Sequence, residues 1–148
     1  MPTIDDVRSF AAADKGLAVV SYARGDGTVH SSVVNAGVMQ HPTAGDDVVA
    51  LAVRGKTAKL RHWRTAPHAS LVFRSGWSWI GVEGRITMIG PDDLNGYEAQ
   101  SVPGLLRDVF TAAGGTHDDW DEYDRVMAAE RRAAVFITPE RIRGNGTP

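Results

Sequence analysis

The sequence contains no cysteine. A chain without cysteine has no disulfide bond, no thiolate nucleophile and no cysteine-ligated zinc or iron–sulfur cluster. Its five histidines are scattered without the spacing of metal ligands, so we predict no metal site. No apolar run approaches the roughly 20 residues of a membrane span, and residues 1–10 are too acidic for a signal peptide. These absences predict a soluble, cytoplasmic protein.

Positive charge is in slight deficit, since 16 Lys and Arg against 18 Asp and Glu give a net charge of −2. This balance argues against a general nucleic-acid or anionic-membrane binder, because such proteins usually have a domain-wide excess of basic residues. Five of the sixteen basic side chains nevertheless fall within residues 53–64, VRGKTAKLRHWR, which we call the basic segment. Any anion site is therefore expected to be local, and the basic segment is the candidate.

Most of the remaining pattern is typical of β-strands joined by tight turns. β-branched runs bounded by Gly, Asp and Pro predict strands at residues 17–23, 29–39, 48–53, 69–73, 77–89 and 133–144. Apolar spacing predicts helices at 4–13 and 58–65, and helical structure across 91–131 with a break at Gly114-Gly115. The sequence therefore predicts one α+β domain, mainly β, spanning residues 1–148: an antiparallel barrel or sandwich with peripheral helices and a flexible tail at 143–148.

The basic segment follows the predicted strand 48–53 and opens the predicted helix 58–65. Arg54, Lys56 and Lys59 supply charge, Thr57 supplies a hydroxyl as the predicted helix cap, and the helix start supplies free N–H groups. This combination indicates a site for a phosphate group, although RGKTAK is neither a P-loop nor a dinucleotide fingerprint. The alternative is a helix face that is simply solvated.

The order of these segments resembles the split β-barrel flavoproteins related to pyridoxamine 5′-phosphate oxidase, and within them the flavin/deazaflavin oxidoreductases that use coenzyme F420. The resemblance is based on DGTVHSSVVNAGV, the stretch VRGKTAKLRHWRTAPHASLVF, WSWIGVEGRITMI and ERRAAVFITPERIRG. It implies a split barrel that forms a homodimer, with the cofactor in a groove between subunits. By this resemblance the phosphate ligands would be Arg54, Lys56, Thr57 and Lys59. The cofactor ring would lie against Ser31, Ser32, Val33, Val34 and Asn35, with Trp77 and Trp79 near the cofactor or the dimer seam.

The resemblance leaves the cofactor open between F420 and FMN, because both have a phosphate beyond a tricyclic ring and a ribityl chain. F420 continues into a glutamate tail, for which Arg61 and Arg64 are candidate partners. The implied function is an F420-dependent reductase that transfers hydride to a conjugated acceptor such as an enone, quinone or tetrapyrrole. The alternatives are a non-catalytic protein that stores or carries FMN or F420, and an FMN-dependent oxidase. Catalytic residues are not assigned.

Overall fold

Six antiparallel strands close into a barrel in the computed structural model, which describes residues 1–148. The order around the barrel is β1-β2-β3-β6-β5-β4, with β4 pairing again with β1. The strands are β1 (Leu17–Ala23), β2 (Val29–Gln40), β3 (Asp47–Val53), β4 (His68–Ser75), β5 (Ser78–Ile89) and β6 (Ala133–Gly144). The helices are α1 (Ile4–Ala13), α2 (Ala58–Thr65), α3 (Val102–Ala112) and α4 (Trp120–Ala129), with a 3-10 turn at Ala99–Ser101. No helix combines the length and apolar character that a membrane crossing would require.

The barrel interior is one apolar core closed by two of the helices. Alternate residues of the strands point inward, among them Val20, Leu51 and Phe73. Helix α1 adds Val7 and Phe10 to this core, and α2 adds the fully buried pair Leu60 and Trp63. The anchoring of α2 by Leu60 and Trp63 fixes the position of the basic segment relative to the sheet.

A second core lies outside the barrel, where α3 and α4 pack on β3 and β6. Val48 and Ala50 of β3, and Ala134 and Phe136 of β6, are fully buried against these helices. Strand β3 is thus covered on both faces, as its continuous apolar run predicts. The helices stand beside β2 because Gly37 has no side chain: a Cβ there would lie 2.0 Å from the carbonyl oxygen of Ala112.

The structure confirms the predicted barrel and corrects three details of the sequence prediction. Trp77 lies in the turn between β4 and β5, and the strand begins at Ser78. The predicted helical span 91–131 begins with a loop, and helical structure starts only at Ala99; the two helices are then separated at Gly114-Gly115, as predicted. The predicted flexible tail is structured as far as Asn145, whose side chain accepts from the Trp79 N–H at 2.8 Å and donates to the Trp77 carbonyl at 3.0 Å.

Candidate functional site

The basic segment leaves β3 through a turn that is packed against the loop between α4 and β6. The Gly55 N–H donates to the Glu130 carbonyl at 3.0 Å. Gly55 approaches this loop so closely that a Cβ would lie 2.6 Å from the Arg131 carbonyl oxygen. The next residue, Lys56, has a φ of 62°, a left-handed conformation that is uncommon for a residue with a side chain. The turn is therefore defined by close backbone contacts.

Helix α2 begins directly after this turn, with Thr57 at the N-cap position. The Thr57 hydroxyl does not cap the helix as predicted, because it donates instead to the Arg54 carbonyl at 3.0 Å. The first N–H groups of a helix have no partner within the helix, and here no side chain supplies one. The start of α2 thus offers backbone donors and the positive end of the helix dipole.

A groove of about 440 Å³ lies between β2, β3, the start of α2 and the outer helices α3 and α4. Its lining includes the cations Arg54, Lys59 and Arg132 and contains no Asp or Glu. Most of the other lining residues are apolar, namely Val33, Val34, Ala52, Val53, Val109, Phe110, Ala113 and Met127, with Asn35, Thr57 and Tyr123 as the remainder. A cationic end joined to an apolar floor suits a ligand that has an anionic group attached to a flat apolar body.

Six of the thirteen residues predicted for the site come together in this groove: Val33, Val34, Asn35, Arg54, Thr57 and Lys59. Asn35 also has a structural task, because its Nδ2 donates to the Lys15 carbonyl at 2.8 Å and the Ala113 carbonyl at 3.2 Å. Ser31 and Ser32 are outside the lining. The Ser31 hydroxyl lies 2.8 Å from that of Ser21, and the buried Ser32 Oγ has no hydrogen-bond partner.

The other predicted cations also lie outside the groove lining. Arg64 forms a two-pronged pair with Asp93, with Nε and Nη2 each 2.8 Å from a carboxylate oxygen. Arg61 donates from Nη1 to the Lys56 carbonyl at 2.9 Å. The hydrogen bond from Arg131, with smaller contributions from the charges of Arg64 and Lys56, holds the pKa of Asp92 below its usual value. The basic segment therefore divides between the groove and the Asp92-Asp93 corner.

The two predicted tryptophans lie at the β4–β5 hairpin, away from the groove lining. Trp77 is 96% exposed at the turn, and Trp79 is 36% exposed on the outer face of β5. Neither contacts the basic segment through a hydrogen bond or a ring contact. Within one chain these residues are therefore surface groups.

Sequence reasoning missed the groove wall that comes from the second half of the chain. The spacing of ordinary helix packing describes Val109 and Phe110 of α3 and Tyr123 and Met127 of α4, whereas Arg132 lies in the loop before β6. The Phe110 ring packs against Tyr123 with ring centres 5.0 Å apart, and the Tyr123 hydroxyl donates to the Leu106 carbonyl at 3.1 Å. Burial raises the pKa of Tyr123. Only the docking of α3 and α4 on β3 makes these residues part of a site.

A second depression, of about 480 Å³, lies on the outer face of β1, β4, β5 and β6. It is more polar, and it includes the carboxylates Glu83 and Glu140 with Arg141 and His68. Arg141 lies 3.6 Å from Glu83, and His68 lies 3.6 Å from Glu140. Because its charges are balanced within the chain, this depression is less suited to an anion than the groove.

Known structures share this fold. A conserved hypothetical protein from Mycobacterium tuberculosis superposes with a TM-score of 0.69 at 16% identity, covering 97% of this chain and 84% of that one. A pyridoxamine 5′-phosphate oxidase-related, FMN-binding protein from Nostoc punctiforme superposes with a TM-score of 0.64 at 9% identity, covering 93% of this chain and 78% of that one. A heme-binding protein from Mycobacterium smegmatis superposes with a TM-score of 0.65 at 15% identity, covering 99% of this chain and 55% of that one. No protein-family model matches the chain. The chain thus has the split β-barrel fold of the proteins related to pyridoxamine 5′-phosphate oxidase.

Proposed function

We propose that this protein is an oxidoreductase that uses a phosphorylated tricyclic cofactor, with coenzyme F420 as the first candidate and FMN as the alternative. The observation that supports this most directly is the groove: Arg54, Lys59 and Thr57 lie at one end, apolar side chains form the floor, and no carboxylate is in the lining. A phosphate would accept from Arg54, from Lys59 and from the first N–H groups of α2, while the Thr57 hydroxyl donates to the Arg54 carbonyl. The FMN-binding protein from Nostoc punctiforme, which has the same fold, supports a ligand of this kind.

The chain's own residues would position the cofactor and keep water from one ring face. Val33, Val34 and Val53 would lie against the ring, with Met127 and Phe110 closing the wall opposite. When bound, a reduced deazaflavin or flavin supplies hydride, so the protein need supply only binding, orientation and electrostatics. No catalytic triad is required, and the acceptor would be a conjugated small molecule such as an enone, quinone or tetrapyrrole.

The preference for F420 depends on cations beyond the phosphate site. F420 has a carboxylate tail that FMN lacks, and Arg61 has guanidinium N–H groups left after its bond to the Lys56 carbonyl. Arg64 is less available because Asp93 accepts from two of its nitrogens. We therefore propose Arg61, rather than Arg64, as the residue that contacts the tail. Removing Arg61 should weaken F420 binding more than FMN binding.

We further propose that two copies of the chain associate through the outer face of β2, β1, β4 and β5. Strand register aligns Val33 with Val19 and Val19 with Val72, and Trp79 lies beside Val72 over Gly81. Val33 is 70% exposed and Val19 is 42% exposed, so this row is an unusual apolar stripe. Val33 also lines the groove, and a second copy on the stripe would cover the groove's open side.

The oligomeric state tests this association. Val19→Lys places a charge in the middle of the stripe without touching the barrel core, so it should convert a dimer to a monomer in analytical ultracentrifugation. Val126→Lys is the matched control, because Val126 is equally exposed, at 42%, but lies on α4. A wild-type monomer, or a dimer that both variants preserve, would contradict the proposed interface.

The function is tested first by binding. Wild-type protein is titrated with F420, FMN and riboflavin, following ligand fluorescence polarisation at two salt concentrations. We expect salt-sensitive binding of F420 at micromolar strength or better, weaker binding of FMN, and little binding of riboflavin, which lacks the phosphate. Preference for FMN would move the protein to the flavin alternative. Binding of none of the three would contradict the proposal.

Bound ligand does not distinguish an enzyme from a carrier. Reduced F420 is therefore mixed with a panel of enones, quinones and tetrapyrroles, and its oxidation is followed by absorbance. Turnover that depends on the protein supports the reductase. Tight binding without turnover on any acceptor would favour the storage or carrier function.

A further inference from the structure

Arg132 is the third cation of the groove, and it differs from the other paired arginines near the site. Arg64, Arg107 and Arg131 each have two guanidinium nitrogens bonded to one carboxylate group. Arg132 has one such bond, from Nε to Glu130 Oε1 at 2.9 Å. Its Nη1 makes a long bond to the Ala52 carbonyl at 3.3 Å, and its Nη2 has no acceptor in the chain. Donors therefore remain for a ligand.

The strand register places Arg132 at the phosphate end of the groove. Val53 of β3 pairs with Ala133 of β6, so the residues just beyond this pair, Arg54 and Arg132, leave the sheet side by side. Both line the groove together with Lys59. The Arg132 side chain is 29% exposed and lines the groove, so it is held in place by its hydrogen bonds yet reachable by a ligand.

Glu130 lies next to these cations although it is outside the groove lining. Hydrogen bonding from Arg132, with a smaller contribution from the charge of Arg54, holds its pKa below the usual value. The carboxylate is therefore ion-paired with Arg132, one of the three groove cations. A phosphate that enters the groove would meet Arg54 and Arg132 in the presence of this negative charge.

We propose that Arg132 is an anion-binding residue of the groove and that the Glu130 side chain is an internal anion that competes with the ligand phosphate for it. This inference rests on the proposed function, since it concerns the same groove. Phosphate would accept from Nη2, and from Nε when the Glu130 carboxylate turns away. The backbone of Glu130 has a separate role, because its carbonyl accepts from the Gly55 N–H. A substitution of the Glu130 side chain does not remove this hydrogen bond.

The proposal predicts that Glu130→Gln changes ligand affinity in the direction opposite to that expected if Glu130 only supported Arg132. If Glu130 only orients Arg132, removing its charge weakens ligand binding. If it competes with the ligand, the same change strengthens binding. We expect Glu130→Gln to tighten FMN and F420 binding about threefold, the size of one exposed ion pair. Arg132→Gln should weaken the binding of both about tenfold, and neither change should alter the binding of riboflavin.

The experiment compares wild type, Glu130→Gln, Arg132→Gln and the double variant by fluorescence polarisation with FMN, F420 and riboflavin. Glu140→Gln is the matched control, since it removes one negative charge from the depression on the other face of the barrel. Thermal unfolding establishes beforehand that each variant is folded. Tightening that occurs only when Arg132 is present supports the proposal. Weaker or unchanged binding in Glu130→Gln, or equal tightening in Glu140→Gln, overturns it.

The variant Lys59→Ala distinguishes a failure of this proposal from a failure of the proposed function. If wild type binds neither phosphorylated ligand, both proposals fail. If wild type binds and Lys59→Ala binds at least tenfold more weakly, the groove is the phosphate site. An unchanged affinity in Arg132→Gln would then overturn only the role given to Arg132.

Discussion

The first half of the basic segment, residues 54–59, and its second half, residues 60–64, have similar densities of positive charge but different surroundings. The side chains of Arg54, Lys56 and Lys59 make no hydrogen bond or ion pair within the chain. Arg61 and Arg64 donate to acceptors of the protein. A cation whose N–H groups already donate to acceptors of the protein gains less free energy from binding a ligand than a cation whose N–H groups donate only to water. Phosphate binding is therefore expected in the first half, and in the second half only Arg61 keeps N–H groups for the proposed contact with the F420 tail.

The largest expected effect contrasts the two halves directly. Arg54→Ala with Lys59→Ala removes two charged donors, each typically contributing about 1.5–3 kcal/mol, so FMN affinity should fall at least a hundredfold. Arg61→Ala with Arg64→Ala removes the same charge from the second half and should change FMN affinity about threefold or less. Both are measured by fluorescence polarisation at one salt concentration. Equal losses in the two double variants would show that net charge, and not the groove geometry, determines binding.

A smaller effect is expected when the turn is displaced and every charge is kept. Gly55→Ala brings a Cβ within 2.6 Å of the Arg131 carbonyl oxygen, so the turn must move away from the loop. We expect a loss of about 1–3 kcal/mol of stability and roughly tenfold weaker FMN binding. Gly104→Ala in α3 is the control, because nothing lies within 4 Å of its Cβ. Full affinity in Gly55→Ala would mean that the turn conformation is not needed for binding.

The smallest effect concerns the Asp92-Asp93 corner, where the second half of the segment is held. The hydrogen bond from Arg131 lowers the pKa of Asp92 in the native state below its unfolded value. The unfolded chain then binds more protons, so this part of the stability is present above the unfolded pKa, near 3.9, and is lost as pH falls through the native one. Asp92→Asn should flatten the acid limb of a plot of urea unfolding free energy against pH. An unaltered acid limb would show that the ion pair contributes nothing in solution.

The fold was largely predictable because its signals are local. Helix α1, strand β1 and helix α2 have the predicted bounds, since caps, turn glycines and Pro67 mark their ends. The face of β5 on which each side chain lies also follows from the alternation of side chains along a strand. The break between the two helices lies at Gly114-Gly115 as predicted, but the loop at 91–98 was not predicted, because it shares the helical spacing of the residues that follow.

The site was predictable only in part, for a different reason. The groove residues Arg54, Thr57 and Lys59 are close in sequence, so a strand followed by a helix start brings them together. Ser31 and Ser32, also proposed from the resemblance, precede the groove residues Val33 and Val34 on β2 but are not part of the groove lining. Whether Arg64 was free could not be read from its neighbours in sequence, because its partner Asp93 is 29 residues away.

By itself the sequence determined the elements, the barrel class and the position of a concentrated positive charge, because these follow from periodicity, turn chemistry and composition. The tertiary structure decided which of the cations remain unpaired. It did so by bringing Asp92-Asp93 to Arg64 and Arg131, and by placing α3, α4 and Arg132 against β3 to form the groove wall. Pairings of this kind join residues far apart along the chain, and their energies depend on distances that only the folded chain defines.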